Sequence, residues 1–166
     1  QVLIELLGPH FSTRLNLINV DEFAKQRGLA VESAASTKSA TFSDNVVATV
    51  TARGVQHTIE GTVFVDGLPR ILAIDGYRMD MVPEGAMVLV NNHDEPGVIG
   101  LIGTTFAQHK VNIADMTLAR QKDTALVLLK IDAPAPDAAI TALAAKKPPI
   151  NFVKTVTVPP LMAAKK

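Results

Sequence analysis

The sequence changes from a strand pattern to a helix pattern within the nine residues Asn92-His93-Asp94-Glu95-Pro96-Gly97-Val98-Ile99-Gly100. Residues 86–91 before this stretch predict a strand, and residues 96–109 predict a helix with Pro96 in its first turn. Backbone N–H groups at a helix start have no partner inside the helix, so they are available to a carboxylate or a phosphate. Because Gly97 has no side chain, a ligand can approach the backbone there. The stretch therefore predicts a rim that receives an anionic group.

Two polar side chains complete a hypothesis of amino-acid binding at this rim. Asp94 offers a negative charge to an ammonium group, and Asn112, which follows the predicted helix, offers an amide near the same rim. Each residue alone is more often a cap or turn residue than a ligand contact. Gly100 and Gly103 share one helix face with Gly97, and we interpret those two as sites of close packing.

The rest of the C-terminal half predicts a small mixed domain. Strands are expected at residues 111–120, 125–132 and 152–158, and a second helix is expected at residues 137–145. With the first strand and helix this gives the order βαββαβ with antiparallel strands, which is typical of the ferredoxin-like arrangement. Residues 161–166 are predicted to be a frayed tail.

The N-terminal half predicts a second α+β unit. Strands at residues 46–53, 57–65 and 69–75, with a tight turn at Asp66-Gly67, indicate an antiparallel meander that continues into residues 77–82. Upstream, residues 15–18 predict a short buried strand. A helix over residues 21–27 begins at a capping box of Asn19 and Glu22 and ends at Gly28, and residues 33–43 predict an extended strand. The expected units are residues 1–84 and 85–160, with the tail at 161–166.

Composition excludes several classes of function. Lys and Arg number 16, as do Asp and Glu, so the basic surplus of a duplex-binding protein is missing. The chain has no Cys, which excludes disulfides, thiolate nucleophiles and Cys-ligated zinc. No apolar run approaches the roughly 20 residues of a membrane span and no signal peptide is visible, so a cytoplasmic protein is expected. The start at Gln1, inside an apolar stretch, predicts a piece of a longer protein.

Four motifs in order resemble the long form of the D-3-phosphoglycerate dehydrogenase family, from about Leu7 to Val158. The run Asn92 to Gly100, followed by Val111-Asn112-Ile113-Ala114-Asp115-Met116 and Arg120, is similar to that family's ACT domain. Residues 18–28 resemble an upstream segment of the family but depart from it at Val20 and Asp21, where Ala-Pro is usual. The family's intervening domain is resembled by Gly61-Thr62-Val63-Phe64, Pro69-Arg70-Ile71 and Ile74-Asp75-Gly76-Tyr77.

The resemblance implies a regulatory and oligomerisation role in the first committed step of L-serine biosynthesis. It implies an α+β chain in which part of an intervening domain, with an antiparallel sheet, precedes a ferredoxin-like ACT domain. Paired ACT domains are expected to bind L-serine between them, with Asn112 contacting it from the partner chain or from the same rim. The positions matching the family's serine contacts and their neighbours are Asn92, Asp94, Pro96, Gly97, Val98 and Asn112. An anion site in the intervening domain is implied at Arg70 and Arg78, although Val82 and Ile140 stand where two further basic residues are expected.

No catalytic constellation is expected in this chain. It has no dinucleotide fingerprint, so NAD would belong to other domains of the family, and neither a cofactor nor a metal is expected here. Partners other than L-serine and a second copy, such as nucleic acid or membrane, are not expected. Two alternatives remain, namely an oligomerisation module that no longer binds an effector and an ACT-bearing regulator of a different amino-acid enzyme. A hydrolase or transferase is the least favoured class.

Overall fold

A computed structural model describes Ile4, Gly8 and residues 14–32 and 45–159. The chain divides into two compact units, Gln1–Lys38 and Ser39–Lys166. The second unit holds two four-stranded sheets. The predicted boundary at residues 84/85 falls between these two sheets and stays a prediction. The extended strand expected at residues 33–43 and the frayed tail at 161–166 lie outside the described residues.

The first unit is organised around one short helix, α1 (Val20–Gln26), which buries Val20 and Ala24 against Leu15. The predicted helix end is confirmed, because Gly28 has φ 72° and Leu29 N–H donates to Ala24 O at 2.9 Å, as in a Schellman motif.

Two local predictions for this unit are wrong. Residues 15–18 are not a buried strand, because residues 17–19 form a turn that leaves Leu17 70% and Ile18 93% exposed. No capping box forms at the start of α1. Asn19 stands at the N-cap, but its Oδ1 accepts the N–H of Asn16 at 2.8 Å and makes no bond to the helix.

The first sheet of the second unit is the predicted meander. Its strands β1 (Asn45–Ala52), β2 (Val55–Val63), β3 (Pro69–Ile74) and β4 (Tyr77–Met81) are antiparallel and lie in chain order. Two-residue turns join β1 to β2 and β3 to β4. Both residues of each turn have positive φ: Arg53 and Gly54 in the first, Asp75 and Gly76 in the second. Such turns match the right-handed twist of the strands, which explains the tight connections.

The second sheet has the predicted βαββαβ order. It comprises β5 (Gly85–His93), α2 (Val98–Gln108), β6 (Ile113–Gln121), β7 (Thr124–Ile131), α3 (Asp137–Ala144) and β8 (Ile150–Val158). The spatial order is β6-β7-β5-β8, with antiparallel neighbours throughout. The expected α+β, ferredoxin-like class is confirmed. The predicted helix start is wrong by two residues, because Pro96 and Gly97 form a turn before α2.

The two faces of the second sheet are buried differently. Alternate residues of β5 and β7, among them Val88, Val90 and Val127, pack with Ile102 and Phe106 of α2 in the main core. The residues between them point the other way and meet the apolar face of the first sheet. This second core contains Met79, Met81, Met87, Ala119, Leu126 and Leu128. The strands β5 and β7 are therefore covered on both sides.

Candidate functional site

Three strands bring polar residues to one end of the helix-covered face of the second sheet. In the strand register Asn92 of β5 is opposite Ala125 of β7, and Ala125 is opposite Arg120 of β6. Residues opposite each other on neighbouring strands project to the same face. Ala125 is two residues from the core residue Val127 and therefore points to the same, helix-covered face. Asn92 and Arg120 therefore stand on either side of a small, fully buried alanine, at the end of the sheet from which α2 begins.

Asn92 leaves a buried hydrogen-bond acceptor unused. The residue is 2% exposed, and its Nδ2 donates to the carbonyl of His93. Its Oδ1 is buried and has no hydrogen-bond partner among the described residues. A buried polar atom without a partner costs about 1–3 kcal/mol. This oxygen is therefore set to accept a hydrogen bond from an ammonium or hydroxyl group.

Asp94 and Arg120 place opposite charges at the same end of the sheet as Asn92. Asp94 Oδ1 lies 3.3 Å from Arg120 Nε, and the side chains are 25% and 68% exposed. The loop is held from the next turn, because Asp94 N–H donates to Asp123 O at 2.9 Å. Asp94 does not cap α2, whose N-cap is Gly97 and makes no side-chain capping bond.

No side-chain capping bond is made at the start of α2 by the residues that the structure describes. The first turn contains no acidic residue, so the positive end of the helix dipole has no local counter-charge from it. Gly97 has φ 94°, a conformation that L side chains rarely adopt, while a methyl group there would meet nothing within 4 Å. Backbone conformation, and not close approach of another group in this chain, accounts for the glycine. Pro96 is exposed, whereas Val98 is buried and anchors the first turn in the core.

Asn112 lies at the opposite end of the sheet from Asn92. Asn112 comes just before β6, and the first residue of β6 is opposite Ile131 of β7. Ile131 is in turn opposite Ala86 of β5, and Asn92 lies six residues further along β5 than Ala86. Six strand residues span about 20 Å. The Asn112 amide donates to Asp132 Oδ2 at 2.7 Å. Within one chain Asn112 therefore does not join this rim, because α2 carries the chain across the sheet before Asn112. The alternative that Asn112 acts from the partner chain stays a prediction.

The two arginines of the predicted anion site lie on the outer face of the first sheet, but one of them is already paired. Arg70 Nη2 is 2.9 Å from Asp66 Oδ2, its Nε is 3.2 Å from Asp80 Oδ1, and its guanidinium lies 5.2 Å from the Phe64 ring centroid. Arg78 is exposed two residues before Asp80 on β4, and hence on the same face. Two carboxylates offset the charge that an anion would need, so the anion site stays a prediction.

Sequence reasoning about the site missed the role of Arg120 and misjudged two glycines. Arg120 is a cation beside Asp94, and the strand register needed to place it there cannot be read from its position in the chain. Gly100 and Gly103 were expected to pack closely, yet a methyl group at either would meet nothing within 4 Å. The packing interpretation is therefore wrong for a single copy of the chain.

Other kinds of site receive no support from the residues described. Within residues 14–32 and 45–159, no group of three or more His, Asp or Glu side chains is placed to hold a metal ion. None of the helices in that part of the chain combines the length and the apolar character needed to cross a membrane.

A βαββαβ sheet with a polar rim where its first strand meets its first helix defines a regulatory domain of the ACT class, and the ACT domain model matches residues 86–147. The model of the D-3-phosphoglycerate dehydrogenase intervening domain matches residues 1–75. The chain belongs to the D-3-phosphoglycerate dehydrogenase family.

Curated relatives agree with both domain matches. The D-3-phosphoglycerate dehydrogenase of Archaeoglobus fulgidus is 32% identical over 78% of this chain and 25% of its own length. That of Methanocaldococcus jannaschii is 29% identical over 81% of this chain and 26% of its own. The enzyme of Bacillus subtilis is 27% identical over 95% of this chain and 30% of its own. The chain thus spans between a quarter and a third of the length of these relatives.

Proposed function

We propose that this chain is the regulatory part of a D-3-phosphoglycerate dehydrogenase and binds L-serine through its ACT domain. The observation that carries the proposal is the buried Oδ1 of Asn92, which has no partner among the described residues and lies at the same end of the sheet as the opposed charges of Asp94 and Arg120. A zwitterionic amino acid offers one group of each charge to such a rim. The N–H groups at the start of α2 add a second place for its carboxylate.

The ligand contacts follow from charge and hydrogen-bonding capacity. The ammonium group donates to Asn92 Oδ1 and to the Asp94 carboxylate, and each of these is an acceptor. The carboxylate meets Arg120 and the first N–H groups of α2, where the helix dipole favours negative charge. The ligand thereby inserts into the Asp94–Arg120 ion pair and replaces one charged contact by two.

The position of Asn112 supports a site shared by two copies. β6 is an edge strand, with one neighbour in the sheet. If two β6 strands pair antiparallel about Thr117, residue 112 of one copy comes beside residue 122 of the other. Arg120 and its partner Asp94 lie at that end of β6. Asn112 of one copy would therefore lie at the rim of the second copy, although it is far from the rim of its own chain. This arrangement also removes an exposed sheet edge.

The activity of the whole enzyme belongs to the same proposal. The name of the relatives supports a parent protein that oxidises 3-phosphoglycerate with NAD at the start of serine biosynthesis. Neither matched domain is a dinucleotide domain, and we expect this chain to regulate and assemble the enzyme without catalysing the reaction. An oligomerisation module without an effector is the second candidate, because the Asp94–Arg120 pair already offsets both charges.

Calorimetric titration with L-serine, glycine and D-serine tests the proposal. We expect saturable heat with L-serine and weaker binding of the other two, because glycine lacks the hydroxymethyl group and D-serine presents it on the wrong side. Light scattering on the same sample reports the oligomeric state. A stable dimer that gives no heat with L-serine would refute serine sensing and favour the oligomerisation module.

A further inference from the structure

The hydroxyl of Tyr77 links the first sheet to the second through a chain of hydrogen bonds. Tyr77 is the only tyrosine of the sequence and the first residue of β4. Its Oη lies 2.6 Å from Thr124 Oγ1, and Asn91 Nδ2 donates to it at 3.2 Å. Thr124 Oγ1 donates its own hydrogen to Gln121 O at 3.0 Å, so the tyrosine must be the donor to Thr124. The donor and the acceptor are thus known for each of these three hydrogen bonds.

The two partners of Tyr77 adjoin the candidate ligand site. Asn91 precedes Asn92, and its side chain is fully engaged: Nδ2 also donates to Ala125 O at 3.2 Å, and Oδ1 accepts from Asn151 Nδ2 at 2.8 Å. Thr124 is opposite His93 and follows Asp123, whose carbonyl holds the Asp94 N–H. The tyrosine hydroxyl therefore fixes both strand ends that position Asn92 and Asp94.

A second contact joins the same two regions. A methyl group built on Gly76, in the turn between β3 and β4, would come within 2.9 Å of Gln121 Nε2. Gln121 ends β6, and its carbonyl receives the Thr124 hydroxyl. The turn of the first sheet thus contacts the turn that supports the ligand loop, next to the tyrosine.

We propose that Tyr77 is a positioning residue that holds the ligand loop of the ACT domain in place from the neighbouring sheet. If the proposed function holds, effector binding and the order of the β3–β4 turn are coupled. Such coupling is reciprocal, so a ligand that tightens the loop also tightens its anchor in the first sheet.

Tyr77→Phe removes the hydroxyl and keeps the ring in the core. Lys130→Met is the matched control, because Lys130 Nζ donates to Glu84 Oε1 and so forms another side-chain bond of the second sheet, at the end away from the ligand loop. Site-resolved hydrogen exchange of the Asp94 and Thr124 amides is measured by NMR on the full chain. L-Serine affinity is measured by calorimetry, and thermal unfolding is followed for both variants.

We expect Tyr77→Phe to speed exchange at Asp94 and Thr124 and to weaken L-serine binding about three- to tenfold, which corresponds to one hydrogen bond. Lys130→Met should change neither quantity, even if it lowers the melting temperature. Unchanged exchange at both amides in Tyr77→Phe, or equal acceleration in both variants, would overturn the inference. If the unmodified chain does not bind L-serine, the proposed function fails while hydrogen exchange still decides the role of Tyr77.

Discussion

Two buried polar residues, one in α2 and one in β5, differ in whether all their hydrogen-bonding atoms have partners. Thr105 in α2 is buried, and its hydroxyl donates to Leu101 O at 2.7 Å, so its burial needs nothing from outside. Asn92 is buried to the same degree but keeps an unused acceptor. The first pattern is that of a structural residue. The second carries an energetic cost that a ligand donor can offset.

Asn92→Leu is expected to raise stability and abolish effector binding together. The substitution removes the unpaired oxygen and adds apolar surface to the core, and the His93 carbonyl keeps the Glu95 N–H at 3.1 Å. We expect a gain on the order of 1 kcal/mol, seen as a higher melting temperature in calorimetry, and no heat with L-serine. Asn91→Leu is the control, because its amide is fully bonded and its loss should lower stability. If Asn92→Leu also lowers the melting temperature, the unpaired oxygen of Asn92 does not destabilise the folded chain.

Single residues also show which site predictions a local pattern can support. Asp94 and Gly97 were indicated by their place before a helix start, whereas Asn92 was indicated by the family resemblance, and all three stay predictions. Arg120 needed the register of three strands, which no local pattern encodes. Asn19 and Glu22 had the spacing of a capping box, but Asn19 bonded backwards to Asn16, an alternative open to any short polar side chain.

Elements were predicted well where their hydrophobic pattern was regular. All eight strands and the three helices of the described residues were expected, and most bounds differ by only one or two residues. The position of a strand in its sheet was harder to predict. The apolar run at residues 125–131 forms β7, which lies between β6 and β5 and not at an edge of the sheet. A strand covered on both faces is apolar throughout, so such a run indicates a central strand.

A comparison of the two tight turns of the first sheet measures how much the contact between Gly76 and Gln121 affects stability. Gly76 and Gly54 have φ 82° and 78°, but a methyl group on Gly76 meets Gln121, whereas one on Gly54 meets nothing within 4 Å. Gly76→Ala and Gly54→Ala should therefore share the same backbone strain of about 1 kcal/mol. We expect Gly76→Ala to cost more, since it also displaces Gln121. Equal free energies of unfolding in urea would show that the turn does not press on β6.

At the scale of the whole molecule, the residues of the proposed site are divided between two ends of the second sheet. Asn92, Asp94 and the start of α2 lie at one end of the second sheet, and Asn112 lies at the other. Residues 94 and 112 are close in sequence, which favoured a single rim. The 11 residues of α2, about 16 Å of helix, separate them in space. The proposed twofold pairing through β6 would bring the two groups of residues together, a property that no residue or element displays alone.

Mixed dimers test whether the site is shared. Alone, Asp94→Ala and Asn112→Ala should each weaken L-serine binding by about 1–3 kcal/mol, roughly tenfold or more, because each removes a hydrogen-bonding or charged contact. In a dimer of one Asp94→Ala chain with one Asn112→Ala chain, a shared site places both changes in one site and leaves the other intact. Calorimetry should then recover one site of unmodified affinity per dimer.

The reciprocal mixture gives the opposite result and serves as the control. A chain carrying both substitutions, paired with an unmodified chain, puts one change in each shared site, so neither site should bind with full affinity. If each chain instead held a complete site of its own, this second mixture would retain one intact site and the first would retain none. The two mixtures contain the same substitutions in the same number, so effects on folding or on net charge cannot produce the difference. Recovery in the second mixture and not in the first would exclude a site formed across β6.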